Sequence, residues 1–190
     1  NKKIIGVVAC SAVAASMAIG ASASDELIKV GYAQVGHESD WRTANTQNYQ
    51  DVFSEENGYE LSFVDCDNDN AAQIEAVRNF INQELDYIVI APIQSAGWDT
   101  VLQEAQDAGI PVIIADREIE ASEDLYDAWV GTNTTNEGIT AGNWLAEYMD
   151  GKEANILVIE GSVGASAALG RTDGFNQVAA DHDEWTILDS

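Results

Sequence analysis

Positive charge is scarce in this sequence. Eight Lys and Arg residues stand against 33 Asp and Glu residues, which gives the 190-residue chain a formal net charge of −25 at pH 7. A surface of that sign repels the phosphates of nucleic acids and of anionic lipid headgroups. We therefore expect no nucleic-acid partner and no attachment to a membrane surface through charge.

Cysteine and proline are also rare, with two of each. Two cysteines exclude a disulfide-dense scaffold, and two prolines exclude a proline-rich or collagen-like chain. Apolar residues make up 46% of the chain and charged residues 22%, which is close to the composition of folded globular proteins. The length allows one or two domains with a core of their own.

Acidic residues are missing altogether before Asp25. The chain opens with two lysines, continues with an apolar stretch rich in small residues, and then reaches Ala21-Ser22-Ala23. This pattern predicts a secretory signal peptide over residues 1–23, which would place the protein in the periplasm or at the cell surface. Two alternatives stay open: a membrane anchor or buried first helix, and a lipoprotein signal in which Cys10 is lipidated.

Groups with nucleophilic or metal-binding chemistry are few in the rest of the chain. Cys66 would be the one cysteine left after export, and only His37 and His182 occur as possible bases. The two histidines lack the i, i+4 spacing of a metal site, and no Ser/His/Asp pattern is visible. We therefore interpret Cys66 as a small buried residue. We expect no metal site, no cofactor and no enzymatic activity.

Apolar runs alternate with helical stripes along the remaining chain. Runs that are apolar throughout, separated by helices, are typical of a parallel sheet covered on both faces, so the predicted fold class is α/β. The predicted strands cover 27–33, 59–65, 86–91, 112–115, 126–131, 155–160 and 185–188. The predicted helices cover 39–57, 71–85, 98–108, 139–150 and 165–180. No helix follows the last strand, which would leave one sheet face bare, so we expect a truncated protein.

Three of the four arginines follow the ends of predicted strands. Arg42 and Arg117 come after the first and fourth strands, and Arg171 lies in the helix after the sixth. Ligands of open parallel sheets bind beyond the carboxyl ends of the strands. Guanidinium groups gathered there indicate recognition of hydroxyl or carboxylate oxygens by several donors at once.

Each of these residues also has a purely structural interpretation. Asp116-Arg117 could form a surface ion pair, Trp41 could be half-exposed core, and Arg171 could pair with Asp173. The turn at 161–166 lacks the glycine and lysine pattern of a phosphate-binding loop. The acidic stretch at 65–70 lacks the Gly and Glu of a calcium loop and is interpreted as a strand-to-helix turn.

The order and spacing of several short motifs resemble a known family. They are Gly31-Tyr32-Ala33-Gln34-Val35-Gly36, Trp41-Arg42, Ile90-Ala91-Pro92, Ile110-Pro111-Val112, Asp116-Arg117, and Gly164-Ala165-Ser166 with Arg171. Together they resemble the periplasmic sugar-binding proteins of ABC importers, of the ribose- and galactofuranose-binding type. The resemblance implies a two-lobed periplasmic-binding-protein fold with doubly wound parallel sheets. The first lobe would span 24–131, and an incomplete second lobe would span 132–190.

The resemblance also implies roles for eight residues. The loop and helix start after the first strand would contact a sugar through Glu38, Ser39, Trp41 and Arg42. Asp116 and Arg117 match a pair that grips ring hydroxyls, and Arg171 matches an arginine that reaches across from the second lobe. Asp40 stands where a small residue is expected, so it would either accept another hydroxyl or cap the helix.

The function implied by the resemblance is non-catalytic. A monomeric exported protein would capture a monosaccharide, in furanose form such as galactofuranose, between two lobes and deliver it to an ABC permease. The alternative is a receptor module that senses a sugar or a furanosyl signal. A sugar-responsive repressor would need a DNA-binding N-terminus and a basic face, and the sequence has neither.

Overall fold

Two parallel β-sheets flanked by helices make up the part of the protein that the structure describes. The computed structural model describes residues 26–189. The predicted signal peptide and Cys10 lie outside the described residues. Within 26–189, no helix combines the length and the apolar character needed to cross a bilayer.

The element bounds agree closely with the apolar runs of the sequence. The strands are β1 (Ile28–Gln34), β2 (Tyr59–Asp65), β3 (Tyr87–Ile90), β4 (Val112–Asp116), β5 (Ala128–Gly131), β6 (Ala154–Leu157) and β7 (Trp185–Asp189). The helices are α1 (Asp40–Val52), α2 (Asn70–Asn82), α3 (Asp99–Asp107), α4 (Thr134–Met149) and α5 (Ser166–Ala179). The first five strands pair in parallel in the order β2-β1-β3-β4-β5, and β6 pairs in parallel with β7. The predicted α/β fold with parallel sheets is confirmed.

Helices cover both faces of the five-stranded sheet. Neighbouring residues of a strand point to opposite faces. A Cβ on Gly31 would meet the ring of Phe80 on α2, whereas the next residue, Tyr32, stacks on Tyr49 of α1 with ring centroids 3.9 Å apart. Thus α1 and α2 lie on opposite faces, as right-handed crossovers require.

The stripe predicted on α3 is buried against the sheet, as the spacing indicated. Val101, Leu102 and Ala105 are at most 1% exposed, and Trp98, which caps the helix, is fully buried. The indole Nε1 of Trp98 donates a hydrogen bond to the backbone oxygen of Gln94 at 2.8 Å. Burial of the ring and pairing of its polar atom together stabilise the loop that follows β3.

Helices α4 and α5 pack through glycines. Each carries a Gly-x-x-x-Gly pair, and a Cβ added to any of these four glycines would collide with the opposite helix. The glycines are Gly138, Gly142, Gly170 and Gly174. The absence of side chains therefore lets the two backbones touch, which is a common use of glycine.

The first helix is shorter than predicted. It ends at Val52 rather than at Asn57, and a 3-10 turn follows at Glu55–Asn57. The side-chain amide of Asn57 donates to the backbone oxygens of Asp51 and Val52 at 3.1 and 3.0 Å. These carbonyls, which a longer helix would bond internally, are satisfied from outside, so the helix ends there.

Several further boundaries differ from the sequence prediction, and two of these differences have a visible cause. Helix α4 begins at Thr134 rather than at Ile139, because the side chain of Asn133 accepts a hydrogen bond from the amide of Asn136 and caps the helix start. Strand β6 ends at Leu157 rather than at Glu160, at an irregularity in its pairing with β7.

Candidate functional site

A cleft lies beyond the carboxyl ends of β1 and β4, facing the starts of α4 and α5. Its volume is about 430 Å³, which falls within the ~300–1,000 Å³ of small-molecule sites. Six of the eight residues implicated by the sequence line it: Ser39, Trp41, Arg42, Asp116, Arg117 and Arg171. Thr132, Glu137 and Ala167 complete the lining. The three arginines therefore share one cavity, as the strand-end argument predicted.

Arg42 is the most constrained of the three arginines. Its side chain is only 4% exposed. Its Nε donates to Glu38 Oε1 at 3.2 Å, and its Nη2 donates to Asp116 Oδ2 at 3.0 Å. Nη1 is buried and has no hydrogen-bond partner among the described residues. A buried donor without a partner is costly, so this nitrogen retains the capacity to donate one more hydrogen bond.

Asp116 holds an uncommon backbone conformation at the end of β4. Its φ is +66°, in the left-handed region that few non-glycine residues adopt. The following residue bends back, and the amide of Arg117 bonds to the oxygen of Ala115 at 2.8 Å. Such strain persists where the surrounding structure enforces it, and it often accompanies binding sites. Here it keeps the carboxylate of Asp116 beside Arg42.

Arg117 does not pair with Asp116 as the sequence suggested. The partner of Asp116 is Arg42, which lies 74 residues earlier in the chain. Nη1 of Arg117 instead approaches the backbone oxygens of Pro92 and Ile93 at 3.4 Å each. The reason is geometric, because the left-handed turn at Asp116 directs the two neighbouring side chains to different partners.

Desolvation and like charge act together on Arg117. Its half-burial lowers the pKa of the guanidinium, and the nearby Arg42 lowers it further. Asp116 and Glu38 oppose these effects, while Arg171 adds to them. The cleft therefore concentrates positive charge, and the nearby carboxylates balance this charge only in part.

Arg171 projects from α5 on the far side of the cleft. Its Nε donates to Glu137 Oε2 on α4 at 2.8 Å, so its partner is Glu137 and not Asp173. This contact, with a hydrogen bond from the side chain of Thr132, lowers the pKa of the Glu137 carboxyl. Glu137 and Thr132 were not singled out from the sequence. The strand-end argument would have found Thr132 had it been applied after β5.

The remaining sequence-selected residues lie at the start of α1, where Ser39 and Trp41 line the cleft and Glu38 and Asp40 do not. Ser39 caps α1, since its Oγ accepts from the amide of Arg42 at 3.1 Å. Asp40 lies in the first turn of α1, where a negative charge favours the helix dipole, and it does not line the cleft. Glu38 holds Nε of Arg42 from outside. Trp41 is 59% exposed and lies under the Arg42 guanidinium, which is 4.9 Å from its ring centroid.

A buried glutamine that the sequence analysis overlooked organises the strand ends. Gln73 on α2 is fully buried. Its Nε2 donates to the oxygens of Ala33 and Ala91, at 3.1 and 2.7 Å, and its Oε1 accepts from the amide of Ile93 at 2.9 Å. One side chain thus fixes where β1 and β3 end. A polar residue in an apolar helical stripe is the signal that could have found it.

The loops of the two sheets also meet beside the cleft. The backbone amide of Ser95, after β3, donates to the oxygen of Gly164, after β6, at 2.8 Å. The Oγ of Ser95 bonds to Glu120 Oε1 at 2.8 Å and secures that loop. This direct contact joins the loop after β3 to the loop after β6.

Two of the larger cavities have a different character. One, of about 460 Å³, lies next to the cleft over the sheet face that α1 covers, and aromatic and aliphatic residues dominate it, among them Tyr49, Phe53 and Ile113. The other, of about 600 Å³, lies between α4, α5 and β6. The smaller cleft carries more charged side chains than either, so it fits a polar ligand best.

The other chemical candidates have structural partners. Cys66 is buried, and burial raises the pKa of its thiol to about 12, so the predicted inert role fits. The stretch at 65–70 forms the predicted turn, in which Asp69 caps α2. Within 26–189, no group of three or more His, Cys, Asp or Glu side chains is arranged to hold a metal ion.

Comparison with known proteins identifies the family. A periplasmic binding protein domain matches residues 30–190. The chain belongs to this family. The expectation of a binding protein rather than an enzyme agrees with that membership, because the matched relatives are sugar-binding proteins.

Two curated relatives illustrate the similarity in sequence. The galactofuranose-binding protein YtfQ of Escherichia coli (strain K12) is 41% identical over 92% of this chain and 53% of its own length. The fructose import binding protein FruE of Bifidobacterium longum (strain NCC 2705) is 32% identical over 94% of this chain and 58% of its own length. The chain thus spans just over half the length of these relatives.

Solved structures agree with the observed fold. A galactofuranose binding protein superposes with a TM-score of 0.80 at 38% identity, covering 86% of this chain and 55% of that one. A Mycobacterium smegmatis protein in complex with β-D-fucofuranose gives 0.80 at 39% identity, covering 86% and 54%. An arabinose-transporter binding protein from Shewanella sp. ANA-3, bound to L-arabinofuranose, gives 0.78 at 38% identity, covering 85% and 54%.

Proposed function

We propose that this periplasmic binding protein captures a monosaccharide in the cleft between its two sheets. The single observation that carries the proposal is the state of Arg42, whose guanidinium is buried, held by two carboxylates and left with Nη1 unpaired among the described residues. A neutral polyol supplies acceptors to such a donor without adding charge to a site already rich in it.

The cleft offers complementary groups for a sugar. The carboxylate of Asp116 can accept from hydroxyl groups, and the guanidinium groups of Arg117 and Arg171 can donate to them. The exposed ring of Trp41 can cover an apolar sugar face. We assign the ligand-binding role to the cleft residues selected from the sequence, with Glu38, Ser39 and Asp40 supporting them from the start of α1.

We further propose that the sugar is bound in furanose form. The support is that three relatives with 38–41% identity carry furanose ligands in their names or titles, as galactofuranose, β-D-fucofuranose and L-arabinofuranose. A furanose presents its hydroxyls in a more compact ring than a pyranose, which suits a cleft with donors on three sides.

Delivery to an ABC permease by an exported monomer is the corresponding proposal for the whole protein. Its support is the family, whose members include import binding proteins and ABC-transporter components. The proposed lobes are 24–131 and 132–190, which agrees with a division of strands between two sheets after β5. Export rests on the signal pattern over 1–23, with lipidation at Cys10 as its variant.

A sensory role is the second candidate. One solved structure that superposes with a TM-score of 0.75 at 27% identity is the fructose-binding periplasmic domain of a hybrid two-component system. The same cleft can therefore belong to a receptor in which sugar binding is reported rather than followed by transport. Uptake of labelled sugar by cells with and without the gene separates the two roles.

Calorimetry with a sugar panel tests the proposal. The panel is D-galactose, D-fucose, L-arabinose, D-ribose, D-fructose and myo-inositol, and the protein is the full chain. We expect saturable binding of at least one sugar, and ¹³C NMR of bound galactose labelled at C1 should show the furanose anomeric signal. Absence of binding for the whole panel would refute sugar capture, and a pyranose signal would refute the ring form.

Substitution of Arg42 tests the site itself. Arg42→Ala removes the donor and leaves the carboxylates of Glu38 and Asp116 without their partner, so we expect sugar affinity to fall at least about tenfold, since charged hydrogen bonds contribute about 1.5–3 kcal/mol each. Arg78→Ala is the matched control, because Arg78 pairs with Glu104 on the protein surface. Normal binding by Arg42→Ala would show that the ligand lies elsewhere.

A further inference from the structure

The glycine contact between α4 and α5 determines the position of the Arg171 backbone, from which the side chain extends. A Cβ on Gly138 would collide with the backbone of Arg171 and would lie 2.8 Å from the amide nitrogen of Phe175. A Cβ on Gly174 would likewise lie 2.9 Å from the amide nitrogen of Ile139. The two backbones are thus closely packed beside Glu137. The Cα of Arg171 therefore cannot shift without a shift of α4.

The Glu137 carboxylate then restricts the far end of that side chain. Oε2 of Glu137 accepts from Nε of Arg171 at 2.8 Å, while both residues line the cleft. The side chains are 41% and 56% exposed. A pair as exposed as this one adds little to stability, because solvent screens it. Its effect is on orientation, since engagement of Nε leaves the two terminal nitrogens of Arg171 for a ligand.

Thr132 extends this arrangement to the connection between the sheets. It is the residue directly after β5, and its side chain helps to lower the pKa of the Glu137 carboxyl. Thr132 also lines both the cleft and the apolar cavity next to it. The segment that joins the two sheets therefore reaches the same cleft as Glu137.

We propose that Glu137 is a positioning residue for sugar binding, which orients Arg171 across the cleft. This inference rests on the proposed function. Glu137 acts on the ligand through Arg171 and not by direct contact. The distinction has a measurable consequence, because a residue that acts only through another loses its effect when the other is removed.

A double-mutant cycle in the full chain makes that measurement, with the panel sugar that binds the wild type most tightly. We expect Arg171→Ala to weaken binding about tenfold and Glu137→Ala about three- to tenfold, in line with coupled neighbouring residues. The variant with both changes should bind no more weakly than Arg171→Ala alone, within about twofold. Glu137→Gln, whose amide oxygen can still accept from Nε, should recover most of the loss.

The surface pair of Arg78 and Glu104 provides the matched control. It has nearly the same geometry, with Nε of Arg78 2.9 Å from Glu104 Oε2 and comparable exposure, but it lies outside the cleft. Glu104→Ala should leave sugar affinity unchanged. Thermal unfolding of all variants should be within a few degrees of wild type, which separates positioning from loss of structure.

The outcomes are distinct. Losses that add in the double variant would mean that Glu137 contacts the sugar itself, and normal affinity of Glu137→Ala in a chain that binds sugar would mean that it has no role; either result overturns the inference and leaves the proposed function standing. A wild-type chain that binds no sugar overturns both.

Discussion

The five-stranded sheet and the second sheet are stabilised in different ways. The first buries large side chains between helices and strands, with Trp98, Tyr32 and Phe80 at most 2% exposed. The second joins its helices through glycines, while Leu157 and Leu188 of its strand region stay more than 60% exposed. One region therefore depends on the volume of its side chains, and the other on their absence.

The largest expected effect comes from emptying the core of the first region. Trp98→Ala removes a fully buried indole and its hydrogen bond, so we expect the free energy of unfolding to fall by about 3–5 kcal/mol. Urea denaturation measures the change. Trp144→Ala on α4 is the matched control, because that indole is 62% exposed and its loss should cost under about 1 kcal/mol. Equal losses would show that the two regions do not differ in packing.

The opposite change should disturb the second region. Gly174→Ala adds a methyl group where the backbone of α4 already lies, and overpacking of this kind costs about 1–3 kcal/mol, more than the ~1 kcal/mol by which Ala favours a helix over Gly. Hydrogen exchange should show faster opening of α4 and α5 with the five-stranded sheet unchanged. Gly161→Ala is the control, since its Cβ would lie 3.5 Å from that of Ala168. An unchanged exchange rate in Gly174→Ala would mean that the helices can separate freely.

The smallest effect concerns a surface pair of the first region. Nδ1 of His37 lies 2.8 Å from Asp65 Oδ2, and this hydrogen bond raises the pKa of the imidazole. Because the folded-state pKa is raised, the stabilising contribution is complete below the ordinary value of about 6.5 and is lost as the pH rises through the raised pKa. NMR titration should show the His37 midpoint falling in Asp65→Asn, with little change in unfolding temperature. A midpoint that does not move would contradict the pairing.

Much of the fold follows from local sequence, and the exceptions have physical reasons. The alternation of apolar and polar residues predicted β2 at its observed bounds, because an edge strand that turns one face to the core shows this pattern in its own residues. The end of α1 was missed, since it depends on Asn57 reaching back to satisfy two carbonyls. The glycine packing of α4 on α5 was also missed, because a glycine in a helical stripe carries no sign of the partner that approaches it.

The grouping of the arginines was predictable, but their partners were not. The parallel topology of the five-stranded sheet brings Arg42 and Arg117 together, and Arg171 reaches the same cleft from the helix after β6. The pairing of Asp116 with Arg42 rather than with Arg117 depends on a left-handed backbone at Asp116, and a sequence gives no distances across 74 residues. The role of Glu137 similarly required the observed contact between two helices.

The triple hydrogen bonding of Gln73 has a consequence for attempts to change the ligand. Because this amide spans the ends of β1 and β3, any redesign that transplants the loops from a relative with another sugar preference must keep Gln73 and the backbone oxygens it grips. Libraries that randomise only exposed positions at the rim of the cleft preserve the hydrogen bonds of Gln73. Exchange of whole loops together with their strand ends would remove them.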